Sequence, residues 1–269
     1  MLANASELCD AGFTSLASAL CTGGGATTAI EELDRRHAGA RRRFGGCAVV
    51  GASGSLSGSA LGARIDAFET VVRVNRAPTA GWERDVGRRT TVRVMSADEL
   101  SMTRAYRKGG SNATLEEAEA HRPSEIVVVG CHGPFRGRCD ARRLLLNVHP
   151  RLHTYLLSPS VARRASRRTA ARQRSPPAGM MAIEFALHAC SRVTVFGFAH
   201  PSCANRSACY HYYSLRCRTK EADMRRTSFS AGFHDFGSQE EILRGLEARR
   251  RLTRVACASR PNPSVNRTN

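Results

Sequence analysis

The sequence predicts an α/β domain built on a mostly parallel sheet with helices on both faces. Short β-branched runs recur along the chain, many of them ending on Gly or followed by Pro. Helix-like stretches separate them, and that alternation is the mark of a parallel sheet. At 269 residues and 42% hydrophobic content, the chain is long enough for one sizeable core and too short for two large domains.

The globular pattern begins at Cys47, where CAVVG (47–51) reads as a buried strand that runs into a Gly/Ser-rich loop and a helix at 59–66. TVVRVN (70–75) is a second strand, stopped by the Asn-Arg-Ala-Pro that ends at Pro78. TVRVM (91–95) is a third, and EIVVVG (125–130) a fourth, after a helix at 114–121. A helix at 138–147 precedes HTYLL (153–157), and helices at 160–172 and 179–190 precede VTVFGF (193–198). A last helix spans 238–252. Residues 1–43 form an Ala/Gly/Thr-rich lead, partly disordered or the remnant of a stem, and 44–258 form the domain. Residues 163–177 read as a basic helix end or mobile loop, 199–233 as a long loop region, and 259–269 as a flexible tail.

The formal charge is +18, and Lys108 and Lys220 are the only lysines, which leaves 39 arginines. They lie between strand-like runs rather than in dense blocks, so most read as solvated surface and the excess as affinity for an anionic ligand or surface. A nucleic-acid binder would rest on charge alone, and none is expected as a partner. Ten cysteines and four Asn-x-Ser/Thr triplets, at Asn4, Asn112, Asn205 and Asn266, lean towards the secretory pathway. No Cys-x-x-Cys pair offers a zinc site. No apolar run approaches the roughly 20 residues that span a bilayer, and the first residues make a poor signal peptide.

Three places carry candidate chemistry. The loop Gly51-Ala-Ser-Gly54-Ser-Leu-Ser-Gly58 follows a strand and opens a helix, which suits a phosphate as well as it suits an ordinary turn. Asn75 stands at a strand's carboxyl end, placed to hydrogen-bond a ligand or to form a turn. His211-Tyr212-Tyr213 and His234-Asp235 could trade protons near neutral pH, although loop histidines are more often surface residues. No Asp-x-Asp pair is present to hold a divalent metal on a nucleotide diphosphate, which disfavours a metal-dependent sugar-nucleotide transferase.

Residues 47–95, with the stretch NRAPTAGWERDVGRRTT, resemble the long sialyl motif of the eukaryotic sialyltransferases, nearest the α2,3 branch. Residues 176–198 resemble the short motif, Tyr210-His211-Tyr212-Tyr213 the third, and the stretch opening at His234 the very short one, all in family order. The resemblance implies a Rossmann-like, metal-independent fold of the GT-A-like sialyltransferase kind. It implies a CMP-sialic acid donor with no cofactor and no metal. The acceptor would be the terminal sugar, expected to be galactose, of a glycoprotein or glycolipid glycan in the Golgi lumen. A membrane anchor is expected from the family and has no counterpart in this sequence.

By matching position, His234 would be the general base and His211 would hydrogen-bond, or protonate, the departing phosphate. Gly51, Ser53, Gly54, Ser55, Asn75, Gly179 and Tyr212 would bind the donor, and Cys47 and Cys190 would be joined as a disulfide. The chain departs from the family at ligand contacts. Ala52 and Ser55 stand where Asn is usual, Pro177 and Ala178 where Ser and Thr are usual, Gln239 where Glu is usual, and Ser214 where an acidic residue is usual. The alternatives are therefore another CMP-keto-sugar acid such as CMP-Kdo as donor, or a weak or inactive homologue.

Overall fold

The structure is a computed structural model. It describes residues 44–96, 126–130, 153–157, 159–169, 176–198, 211–213 and 236–255. The lead at 1–43, the helices expected at 114–121 and 138–147, the tail at 259–269, and His234 lie outside the described residues.

Seven strands form one sheet: β1 Phe44–Val50, β2 Thr70–Val74, β3 Val92–Ser96, β4 Ile126–Gly130, β5 His153–Leu156, β6 Cys190–Phe196 and β7 Thr253–Arg254. Their spatial order is β5-β4-β3-β2-β1-β6-β7, and every pairing is parallel. The order steps outward from β1 through β5, then jumps to the other side of β1 for β6 and β7. The switch point lies between β1 and β6, which is where open α/β sheets form their ligand crevice.

Both faces of the sheet are covered, because parallel strands of this kind are apolar on both sides. On one face α3 Pro159–Thr169, α4 Ala178–Ala189 and α5 Phe236–Ala248 pack over Val49, Val72, Val94 and Val195. Met181, Ile183 and Leu243 fill the space between them. On the other face the short helices α1 Gly62–Asp66 and α2 Glu83–Val86 set Ile65 and Val86 against Ala48, Val50, Val71 and Phe196.

The differences from the sequence reading are local. The helix expected at 59–66 begins only at Gly62, because Gly58 and Ala60 both take positive φ, +73° and +52°, and interrupt it. The 238–252 helix ends at Ala248, and the chain turns to supply β7, which the sequence reading does not contain. Helix α2 lies within a stretch that carries no predicted element. The carboxylate of its first residue, the half-buried Glu83, accepts from its own backbone N–H and then from that of Gly81, which holds the carboxyl below its ordinary range.

Cys47 and Cys190 are joined, with their Cα atoms 6.1 Å apart, by a disulfide buried inside the larger core cluster. It ties β1 to the start of β6 across a sequence separation of 143 residues, the two sides of the switch point. Closing a loop of that length removes much of the unfolded chain's freedom, by about 5 kcal/mol in the entropic account. The double substitution Cys47→Ala and Cys190→Ala should therefore lower unfolding free energy by about 2–5 kcal/mol in urea denaturation, with a steeper slope because the unlinked chain exposes more surface when it unfolds.

Candidate functional site

The carboxyl edge of β1 continues into Gly51, whose N–H donates to Phe196 O at 2.8 Å. A Cβ on Gly51 would stand 2.7 Å from Gly197 O and 3.2 Å from the Phe198 ring, so glycine is required by the chain's own close approach. The next residues form a single 3₁₀ turn, Gly54–Leu56, and not the start of a longer helix. Ser53 caps it: its Oγ accepts from Ser55 N–H at 3.2 Å and from Ser55 Oγ at 3.0 Å. Gly54 is buried beneath the turn.

Asn75 leaves β2 in the left-handed region at φ +47°, a conformation that Asn tolerates better than most residues. Its N–H donates to Val94 O at 2.9 Å, its carbonyl accepts from Arg93 Nη1 at 2.7 Å, and its Oδ1 accepts from Ser96 N–H at 3.1 Å. The acceptor end of the carboxamide is thereby fixed, and the Nδ2 end has no partner among the described residues.

Two buried arginines hold this loop from inside the sheet. Arg93 reaches the carbonyls of Asn75 and Ala77, while Arg73 donates to Thr90 Oγ1 and the carbonyls of Val86, Gly87 and Arg89. Buried charge is tolerated where hydrogen bonds replace water, and each such bond contributes about 1.5–3 kcal/mol. On the outside, Asp85 accepts from Gly58 N–H at 2.7 Å and Ala60 N–H at 2.8 Å. Asp66 accepts from the N–H groups of Arg88 and Arg89.

The third part comes from far along the chain. Ser53 and His211 form an isolated antiparallel bridge, and Tyr212 N–H donates to Ala52 O at 3.1 Å. His211 stacks on Tyr213 with ring centroids 4.9 Å apart and planes 5° from parallel. Tyr212 is buried beneath Trp82, and its hydroxyl donates to Pro78 O. One residue thus ties the 51–55 loop to the 75–82 loop.

The fourth part is the amino end of α4. Pro177 is its N-cap and supplies no side-chain hydrogen bond, so the first N–H groups of the helix have no capping partner there. A Cβ on Gly179 would stand 2.9 Å from Phe198, the ring that also lies against Gly51. Phe198 therefore joins the 51–55 loop to the start of α4. Sequence reasoning placed no role on it, although its position just after β6, at the switch point, was a usable signal.

The structure thus brings Gly51, Ser53, Gly54, Ser55, Asn75, Gly179, His211 and Tyr212 to the carboxyl edge of β1, β2 and β6. Among the described residues no group of three or more His, Cys, Asp or Glu is placed to hold a metal ion, and no helix is long and apolar enough to cross a membrane. Near the carboxyl end of the chain, Glu240 pairs with the buried Arg254 at 2.7 and 3.1 Å, and the Gln239 Nε2 atom is buried without a partner.

Residues 26–250 match the pattern of "Glycosyltransferase family 29 (sialyltransferase)". Sialyltransferase-like protein 3 of Oryza sativa subsp. indica is 31% identical over 238 residues, covering 77% of this chain and 58% of its own. The human CMP-N-acetylneuraminate-beta-galactosamide-alpha-2,3-sialyltransferase 1 is 29% identical, with coverages of 67% and 50%. The mouse alpha-2,3-sialyltransferase 2 is 31% identical, with coverages of 73% and 53%. The chain spans about half the length of these curated relatives. A mammalian sialyltransferase crystal structure shares the fold at a TM-score of 0.52 and 23% identity, covering 78% of this chain and 68% of that one. A mammalian sialyltransferase solved in complex with Gal-beta-1-3GalNAc-ortho-nitrophenol matches at the same TM-score.

Removing the Tyr212 hydroxyl should orphan the Pro78 carbonyl without changing the ring packing. Tyr212→Phe is expected to lower stability by about 1–3 kcal/mol in chemical denaturation, with the slope unchanged.

Proposed function

The chain belongs to glycosyltransferase family 29, the sialyltransferase family, and on that premise we propose that it transfers sialic acid from CMP-sialic acid to the terminal sugar, galactose, of a glycoprotein or glycolipid glycan. The observation that carries the reading is the meeting of the 51–55 loop with His211 at the switch point, through the Ser53–His211 bridge. The α2,3 names among the relatives, and the galactose-ended compound held by one structural neighbour, support galactose as the acceptor sugar. The buried disulfide supports an oxidising compartment, and the Golgi lumen is the proposed one.

The donor phosphate lies at the uncapped amino end of α4, where N–H groups and the helix dipole favour an anion. The Nδ2 amide of Asn75 donates to the nucleotide. The reaction is one inverting displacement. The acceptor hydroxyl oxygen bonds to the anomeric carbon, the bond to the phosphate oxygen breaks, and CMP leaves with the electron pair. His234 takes the hydroxyl proton, and His211 donates a hydrogen bond to the departing phosphate as its charge grows. A monophosphate leaving group carries less charge than a diphosphate, so the proposed reaction needs no metal.

Asn75→Asp keeps the acceptor for Ser96 and the left-handed backbone but replaces the donor end of the amide. It should weaken CMP binding by tenfold or more, about 1.4 kcal/mol, in calorimetric titration, with an unchanged Tm. Wild-type binding should persist in chelator, and a requirement for added manganese would refute the metal-free reading. His234→Ala should lower kcat about 10²- to 10⁴-fold at near-constant donor affinity, and His211→Ala should lower kcat as well. An active enzyme indifferent to His234→Ala refutes the mechanism.

A second reading, a homologue that binds CMP without turnover, draws on Glu240. It is the acidic group next to the position where the family carries Glu, and it is committed to Arg254. Turnover assays with CMP-sialic acid and CMP-Kdo separate the readings. Consumption of either donor identifies a transferase and its sugar, whereas CMP binding with no product from both identifies the silent homologue.

A further inference from the structure

At the amino ends of β1, β6 and β7, opposite the edge just described, the fold forms a cavity of about 870 Å³. That size lies within the range of ligand pockets, roughly 300–1,000 Å³. Among the described residues four arginines, Arg64, Arg192, Arg250 and Arg251, line it against a single carboxylate, Glu69. Among the described residues, the side chains of Arg192, Arg250 and Arg251 have no hydrogen-bond or ion-pair partner. The floor is polar as well. Gly46 lies in register with Arg192, and Thr194 lies in register with Thr253. Val195 belongs to the core on the opposite face.

Arg250 supplies a second, independent observation. It follows α5 at φ +54°, a left-handed turn position that favours glycine, with its N–H on Glu247 O at 2.8 Å and the Arg251 N–H on Leu246 O at 2.9 Å. Retaining a guanidinium at a strained position points to work for the side chain rather than for the backbone.

We propose that this cavity is a second binding site, for an acidic glycan whose carboxylate or sulfate groups are met by Arg192, Arg250 and Arg251. Guanidinium forks match both anions, and the threonine floor suits sugar hydroxyls. Among the described residues Phe68 is the only aromatic that lines the cavity, and one ring makes no stacking platform for a run of bases. The seven residues of β6, at about 3.3 Å each, set this site roughly 20 Å from the switch point. It would anchor a charged glycoconjugate independently of the donor. The choice of a glycan over other polyanions rests on the transferase reading, whereas the anion site itself does not.

The test is calorimetry of the full chain in 0.15 M salt with a heparin-derived hexasaccharide, α2,8-linked trisialic acid and an octadeoxynucleotide. CMP is titrated in parallel. Sulfate and carboxylate recognition are separated by the first two probes. At least one glycan should bind, and the double substitution Arg192→Ala and Arg250→Gly should weaken it by about tenfold or more. Glycine relieves the left-handed turn, so Tm should hold or rise. Failure of both glycans to bind overturns the proposal. So does undiminished binding by the variant, a loss seen only together with a fall in Tm, or an octadeoxynucleotide bound as tightly as the better glycan. Glycan binding without CMP binding retains this site and rejects the donor site.

Discussion

Two guanidinium groups inside the sheet determine how the carboxyl edge is built. Arg73 and Arg93 are almost wholly buried, at 1% and 0% exposure, in strands whose other residues are chiefly aliphatic. They donate to backbone carbonyls and one threonine hydroxyl of the 75–90 segment. A buried cation with carbonyl partners fixes the path of the backbone around it, because losing any one acceptor leaves the charge undersolvated. The 75–90 segment is therefore a rigid wall although it carries just four residues of helix. Asn75 stands at one end of that wall, oriented by its own carbonyl's bond to Arg93.

This changes what the shared wording of the 75–91 stretch means. Several of those residues hold the neighbouring 58–69 segment. Asp85 holds the 58–60 turn, and Gly87 takes φ +75° with Asp66 where a side chain would be. Arg89 donates to the carbonyls of Asp66, Phe68 and Glu69. Gly62 could not carry even a methyl group, since its Cβ would meet Glu83 O at 1.9 Å. The resemblance to sialyltransferases at these positions is thus largely a resemblance of scaffold. Ala52 and Pro177, where the chain departs from the family wording, lie outside this stretch, in the 51–55 loop and at the start of α4.

The sheet was legible because six of its strands are short β-branched runs, and parallel strands buried on both faces need that composition. Strand β7 was not, because Thr253 and Arg254 carry no apolar signal, and Arg254 is held by Glu247 and Glu240. The burial of Arg73 and Arg93 was not legible either, since an arginine in a run reads as surface until its carbonyl partners, 13 to 18 residues away, are known. The 51–55 loop and Asn75 were singled out from their places at strand ends, and the structure brings them to one edge of the sheet. The way Tyr212 reaches Pro78, 134 residues earlier, is a purely tertiary fact. Likewise the glycines at 51 and 179 were read as openings for a ligand, and the structure shows Phe198 filling the space beside both.

The topology also sets a timetable for biosynthesis. Strand β1 is central in the finished sheet, yet its partner β6 and the cysteine it bonds are made 143 residues later. At about 5–20 residues per second, β1 leaves the ribosome roughly 7–30 s before that neighbour exists. Throughout that interval an aliphatic strand destined for the interior has an open edge, a template for mispairing with other chains. Cys47 lacks its native partner for the same period, while Cys9 and Cys21 are already made and Cys131 and Cys139 follow. Yield in a heterologous host is therefore set by how well holding chaperones and disulfide isomerases cover that wait, more than by the stability of the finished fold.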